Sequence, residues 1–202
     1  MTTISEKTCE KRGPGRPRDE EARRRILESA ARLLEEVGFA GVTVEAIAED
    51  SGASKATVYR WWPNKAAVLI EAFRETVARE LPFPDTGSLS DDVRLQLHNF
   101  ANMLNGRRGR AFAAFLAGAQ TDAEVAQAFR DMWIAPRRAE AKQALERHCE
   151  TGELPSNVNL DLAVELLYAP LYYKLLTGFG AITPEYVDEL AETALRGLRN
   201  AR

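Results

Sequence analysis

VTVEAIAEDSGASKATVYRWWPNK, residues 42–65, decides how the rest of this chain is read. Thr43 stands where its hydroxyl accepts from an orphan backbone N–H of a starting helix. Val44, Ile47 and Ala48 recur at i, i+3 and i+4, a helix face meant for burial. Gly52 falls just past the end of that helix, where a left-handed backbone is needed. Ser54 repeats the capping role, residues 55–62 form a second helix, and Pro63 ends it by lacking a donor and clashing with the preceding turn.

The second helix carries the information. With Val58 on the core side and about 100° per residue, Ser54 and Trp62 fall near it on the inner face. Ala56, Tyr59 and Arg60 point outward, flanked by Lys55 and Thr57. The polar members of this face donate to phosphates and base edges, and Ala56 lets the backbone come close to a duplex. Helix, glycine-containing turn and short helix make a helix-turn-helix, whose second helix enters the major groove.

The stretch resembles the DNA-binding domain of TetR-type transcriptional regulators, through Thr43, Ile47, Ala48, Gly52, Thr57, Tyr59, Asn64 and Lys65. The resemblance covers residues 19–80 well and rests on helix order and size beyond them. It departs at Trp61-Trp62-Pro63, where family members more often carry a single aromatic. It implies that Lys65 contacts a phosphate, that the last two helices make a homodimer, and that the helical body holds a small, apolar effector. Thr43 and Trp61 are expected beside Lys65 on the backbone phosphates, and Lys55, Ala56, Thr57, Tyr59 and Arg60 against the DNA. Phe100, Met103, Phe112, Phe115, Leu116, Phe129, Trp133 and Tyr172 lie on the helices that would wall such a cavity. Met103 and Trp133 are the strongest single candidates, since adaptable and amphipathic groups suit pockets. For any one of these residues, plain core is the competing reading.

Composition sets bounds. A chain of 202 residues that is 45% hydrophobic can bury a core. A net charge of −3 argues against coating nucleic acid by charge alone, but permits a reader with local basic patches. Cys9 and Cys149 are too few and too poorly placed for a structural disulfide. No secretory signal opens the chain, and the apolar run 111–119 is too short to span a bilayer. The expectation is a soluble, cytoplasmic protein.

Residues 1–18 read as a disordered basic arm. The core Gly15-Arg16-Pro17, with Arg18 beside it, resembles an AT-hook, an extended segment for the minor groove of A·T-rich DNA. A solvated arm that only raises non-specific affinity is the competing reading. Residues 19–38 form the first helix, with an apolar stripe of Ile26, Leu27, Ala30, Leu33, Leu34 and Val37. Gly38 ends it, and Arg23, Arg24 and Arg25 read as a solvated face. Residues 64–80 link head to body, and the division falls between 19–65, the DNA-binding domain, and 66–202, the ligand-binding and dimerisation domain.

The body reads as helical throughout, over residues 91–104 and 107–120, then a long helix opened by a capping box at Thr121-Asp-Ala-Glu124. Pro136 kinks or divides that helix. Asn159 caps residues 160–177, and Thr183-Pro184 starts the last helix. The fold class is all-α.

Catalysis has little to build on. His98 and His148 stand far apart, no metal-ligand spacing occurs, and no nucleophile elbow, phosphate loop or dinucleotide fingerprint is present. His148 and Cys149 are neighbours that do not face each other on a helix. No cofactor or metal is expected. The reading is a repressor that a small molecule releases from a palindromic operator. The alternative is an architectural binder that uses the arm without an effector.

Overall fold

Short-range hydrogen bonds shape the N-terminal helices. The computed structural model describes the backbone of residues 16–200 and the side chains of 20–79 and 81–200. Its first helix, α1 (Arg16–Gly41), begins three residues before the expected start and leaves helical geometry at Gly38, with φ 72° and ψ 170°. Thr43 Oγ1 accepts from the Ala46 amide at 3.1 Å and starts α2 (Val44–Ser51). Gly52 takes the left-handed conformation, φ 67°, that an L side chain resists. Ser54 Oγ accepts from the Thr57 amide at 3.1 Å and starts α3 (Lys55–Trp61). Asn64 Oδ1 accepts from the Ala67 amide at 2.9 Å and starts α4 (Lys65–Glu80).

Two expectations for this region change. Val37 is 56% exposed rather than core, because the break at Gly38 turns the chain and Phe39 enters instead, edge-on to Phe115 at 5.3 Å. Ser54 is exposed rather than on the inner face, because a cap stands outside the first turn it serves. Val58 and Trp62 are buried as expected.

The body follows in α5 (Leu89–Asn105), α6 (Arg107–Thr121), α7 (Ala123–Phe129), a π-helical turn (Arg130–Ile134), α8 (Ala135–Glu150), α9 (Leu160–Thr177) and α10 (Pro184–Arg199). Among the described residues there is no strand. Asp122, not Thr121, caps α7, accepting from the Glu124 amide at 2.8 Å, while Thr121 closes α6. Pro136 sits in the first turn of α8 and cannot donate into the preceding turn; the wide π turn ahead of it takes up the mismatch. α6 runs through the middle of the body, with Phe112 and Phe115 fully enclosed. α5 packs on α6 and α10, α8 on α9, and α4 on both α1 and α7, so one apolar cluster runs from the head into the body.

A polar lock ties the α4–α5 connection to the end of α8. His148 Nε2 lies 2.9 Å from Asp92 Oδ2, and Nδ1 lies 3.1 Å from Glu153 Oε1. Asp92 Oδ1 accepts from both the amide and the hydroxyl of Thr86 at 2.7 Å. His98, the other histidine, joins α5 to α10 through Asp188 at 3.0 Å.

Candidate nucleic-acid interface and internal cavity

Trp62 is the keystone under the second helix of the motif. It is fully buried, and its indole N–H donates to Glu71 on α4. Arg23 on α1 reaches the same carboxylate at 2.5 Å and Glu75 at 3.1 Å. Burial works against the Arg23 charge, but Glu71 and Glu75 outweigh it and hold the guanidinium charged. Arg23 is thus a clamp between α1 and α4, not part of a solvated face. Arg32 pairs with Asp50, and Ser29 Oγ donates to the Ile47 carbonyl at 3.4 Å, which fixes α2 against α1. The α3 helix has only two turns and no stability of its own; these contacts hold it at a set angle.

Held in this way, α3 turns Lys55, Ala56, Tyr59 and Arg60 to solvent. Tyr59 is 51% exposed, between Ala56 and Arg60 on the same outward face. Thr57 is half-buried and shares a 2.9 Å hydrogen bond with Ser54 Oγ. Lys55 Nζ is bridged to Glu45 Oε1 on α2 at 3.0 Å, and this bond draws the Glu45 carboxyl below its usual range. Thr43 is exposed at the start of α2, with its hydroxyl serving as a cap.

Two candidates for phosphate contact stand differently. The Trp61 indole N–H is buried without a hydrogen-bond partner, because the ring lies back against α1, with the Arg23 guanidinium 6.0 Å from its centroid. In this conformation the N–H faces protein and not a duplex. Lys65 Nζ donates to the Phe39 carbonyl at 3.0 Å and lies 4.9 Å from the Phe39 ring centre, so it is already engaged within the protein. Residues 1–15 of the arm lie outside the described residues, as do the side chains of Arg16 and Arg18. The backbone of Arg16, Pro17 and Arg18 opens α1 and is helical rather than extended as expected, because Pro17 falls in the first turn, where a missing N–H costs nothing.

A pocket of about 410 Å³, open to solvent past Tyr173 and Leu176, lies between α8 and α9, within the range of small-ligand sites. Of the expected lining residues, Phe100, Trp133 and Tyr172 form its wall. Met103, Phe112, Phe115, Leu116 and Phe129 do not; they are buried core. The reason is the central course of α6, which puts Phe112 one ring behind the wall, 5.0 Å from Trp133 and 5.4 Å from Tyr172. Sequence reasoning missed Phe83, Arg137 and Tyr168. Tyr168 stands one helical turn before Tyr172, a spacing that would have placed it on the same face. Burial, eased by the Trp133 indole, pushes the Tyr172 hydroxyl up to about 12.

Among the described residues no group of three His, Cys, Asp or Glu is placed to hold a metal ion. No described helix is long and apolar enough to cross a membrane.

Comparison with known proteins agrees with this geometry. Residues 26–72 match the model of bacterial regulatory proteins of the tetR family, and residues 83–194 match the tetracyclin repressor-like C-terminal domain. The chain is 40% identical to the HTH-type transcriptional regulator YdeS of Bacillus subtilis over 92% of this chain and 93% of that protein. It is 29% identical to an HTH-type transcriptional regulator of Mycobacterium tuberculosis over 90% and 88% of the two chains. The crystal structure of the TetR family transcription regulator SCO0332 superposes with a TM-score of 0.82 at 34% identity, over 88% of this chain and 98% of that one. Regulators of this kind bind DNA, dimerise and bind small-molecule effectors. With a helix-turn-helix head and a helical body matched along most of its length, this chain belongs to the TetR family of transcriptional regulators.

Proposed function

We propose that the protein is a homodimeric repressor that a small molecule releases from a palindromic operator. The observation that carries this reading is the solvent-facing set Lys55, Ala56, Tyr59 and Arg60 on a helix locked from behind by Trp62, Arg23 and Glu71. Lys55, Thr57, Tyr59 and Arg60 meet the DNA, Tyr59 and Arg60 at base edges and Lys55 at a phosphate, and Thr43 and Lys65 steady the head on the backbone once Lys65 leaves Phe39. Residues 19–65 act as the reading domain and residues 66–202 as the effector and dimerisation domain, and the protein works in the cytoplasm, where the DNA is.

Pairing through α9 and α10 is supported by an outward stripe on α9 in which Leu162, Leu166, Tyr173 and Leu176 are each about half exposed. A two-fold axis would lay the stripe against its own copy, as an isologous interface requires. The effector site is the cavity beside it. Rings link that cavity to the head: Trp133 to Phe73 at 5.3 Å, Phe73 to Phe115 at 5.4 Å, and Phe115 to Phe39 at 5.3 Å, beneath Lys65. An effector that favours one packing of these rings weakens operator binding, and operator DNA weakens effector binding by the same factor.

Fluorescence anisotropy on DNA from around the protein's own gene, with scrambled DNA beside it, tests the reading. Tyr59→Ala and Lys55→Ala are each expected to cost about 1–3 kcal/mol of specific binding while leaving thermal stability intact. Unchanged operator affinity in both variants would sink the assignment of the reading face.

A further inference from the structure

The cavity between α8 and α9 presents donors and almost no free acceptors. Trp133 Nε1 donates to the Tyr172 hydroxyl at 3.2 Å, which uses that oxygen as acceptor and leaves its own proton to be given. Arg137 lines the same space with its side chain only 12% exposed. Its guanidinium lies 4.2 Å from the centre of the Phe83 ring, which fixes its plane, and Nη1 is held by Glu140 Oε2 at 2.5 Å. That bond to Glu140 is the one hydrogen bond found for Arg137 among the described residues, which leaves its other N–H groups to be given. Glu165, the one carboxylate in the wall, is taken by Arg138 at 3.1 Å. Phe100, Trp133 and Tyr172 bring their rings to the wall of the same space.

We infer that the cavity takes a planar aromatic carboxylate, with its rings against Phe100, Trp133 and Tyr172 and its oxygens toward Arg137 and the Tyr172 hydroxyl. The inference rests on the cavity being the effector site and replaces a purely apolar ligand with an acid. A largely buried guanidinium with N–H groups to spare favours an anion, and charge-assisted hydrogen bonds are the strong ones. A cation would find two guanidiniums, Arg137 and Arg138, in the wall and its one carboxylate already taken, and a hydrocarbon would leave the spare donors of Arg137 without partners.

The test is calorimetric titration of the full chain, without DNA, with three probes of one shape: 2-naphthoate, 2-naphthalenemethanol and 2-naphthylmethylammonium. Naphthoate is expected to bind at least about tenfold more tightly than either of the others. Arg137→Gln brings naphthoate down to the level of the alcohol while leaving the alcohol unchanged, which shows that the cavity is intact. Tyr172→Phe weakens naphthoate by about threefold or more and provides a second test should Arg137→Gln not fold. Equal or tighter binding of the ammonium or the alcohol, a naphthoate preference that survives Arg137→Gln, or no binding by any probe overturns the inference. An acid that binds but leaves operator affinity unaltered overturns the effector reading and leaves the ligand class standing.

Discussion

In the head, the bonds that start the three helices span three residues each, Thr43 to Ala46, Ser54 to Thr57 and Asn64 to Ala67. In the body, the bonds that decide shape span 39 residues from Trp133 to Tyr172, 56 from Asp92 to His148 and 64 from Leu89 to Glu153. The reading helix is therefore written locally, whereas the cavity exists only after distant helices have packed. The head also has longer bonds that fix how its helices pack, and among them the Arg23–Glu71 clamp across 48 residues makes the head depend on α4.

The largest expected effect strikes at that dependence. Trp62→Ala removes a fully buried ring, leaves Glu71 without its indole donor and opens a cavity under α3, at a cost of about 4 kcal/mol. Because one apolar cluster joins head and body, denaturant unfolding followed by far-UV circular dichroism should keep a single transition at a lower midpoint. Two separated transitions would mean that the head is an independent unit and that the clamp matters less than its geometry suggests.

The body's counterpart is Asp92. Burial alone would push its carboxyl up, but the Thr86 hydroxyl and amide and the His148 ring hold it below the usual carboxylate range. A folded pKa below the unfolded one means that the contribution is complete above pH about 4 and is lost as pH falls through the folded value. Asp92→Asn should cost about 3 kcal/mol at neutral pH, and the deficit relative to the parent should shrink as pH drops below about 4. A deficit that is constant with pH would show that the loss comes from packing and not from the charge. The measurement is a set of urea unfolding curves between pH 3 and pH 7.

These two sites also mark what the sequence discloses. Thr43, Gly52, Ser54 and Asn64 were readable because each acts on its own neighbours through one backbone group. The same local rules placed α9 and α10 and their caps. They misjudged Thr121 against Asp122, where two adjacent residues compete for one capping position. They could not foresee Arg23 as a clamp, since nothing near it in sequence announces Glu71 and Glu75. Nor could they separate Phe112, enclosed on every side, from Trp133, whose ring reaches the cavity: both are aromatic residues at helical spacing, and only the course of α6 decides between them.

The smallest effect sharpens the comparison within the head itself. Glu45 is acidic on a surface that, under the proposed function, approaches phosphates, and it bridges Lys55 at 3.0 Å with both side chains mostly in solvent. An exposed pair of this kind adds little stability, so its consequence lies in binding. With Glu45 in place, Lys55 must leave a carboxylate before it neutralises a phosphate. Glu45→Gln removes that competitor and one negative charge from the reading face. Operator affinity should rise by about two- to fivefold, and the slope of log affinity against log salt should steepen by about 0.9, one further counterion released. Scrambled DNA should gain by a similar factor, because a phosphate contact carries no sequence information. A gain confined to the operator would instead place Lys55 on a base edge, as the outward face of α3 would also permit.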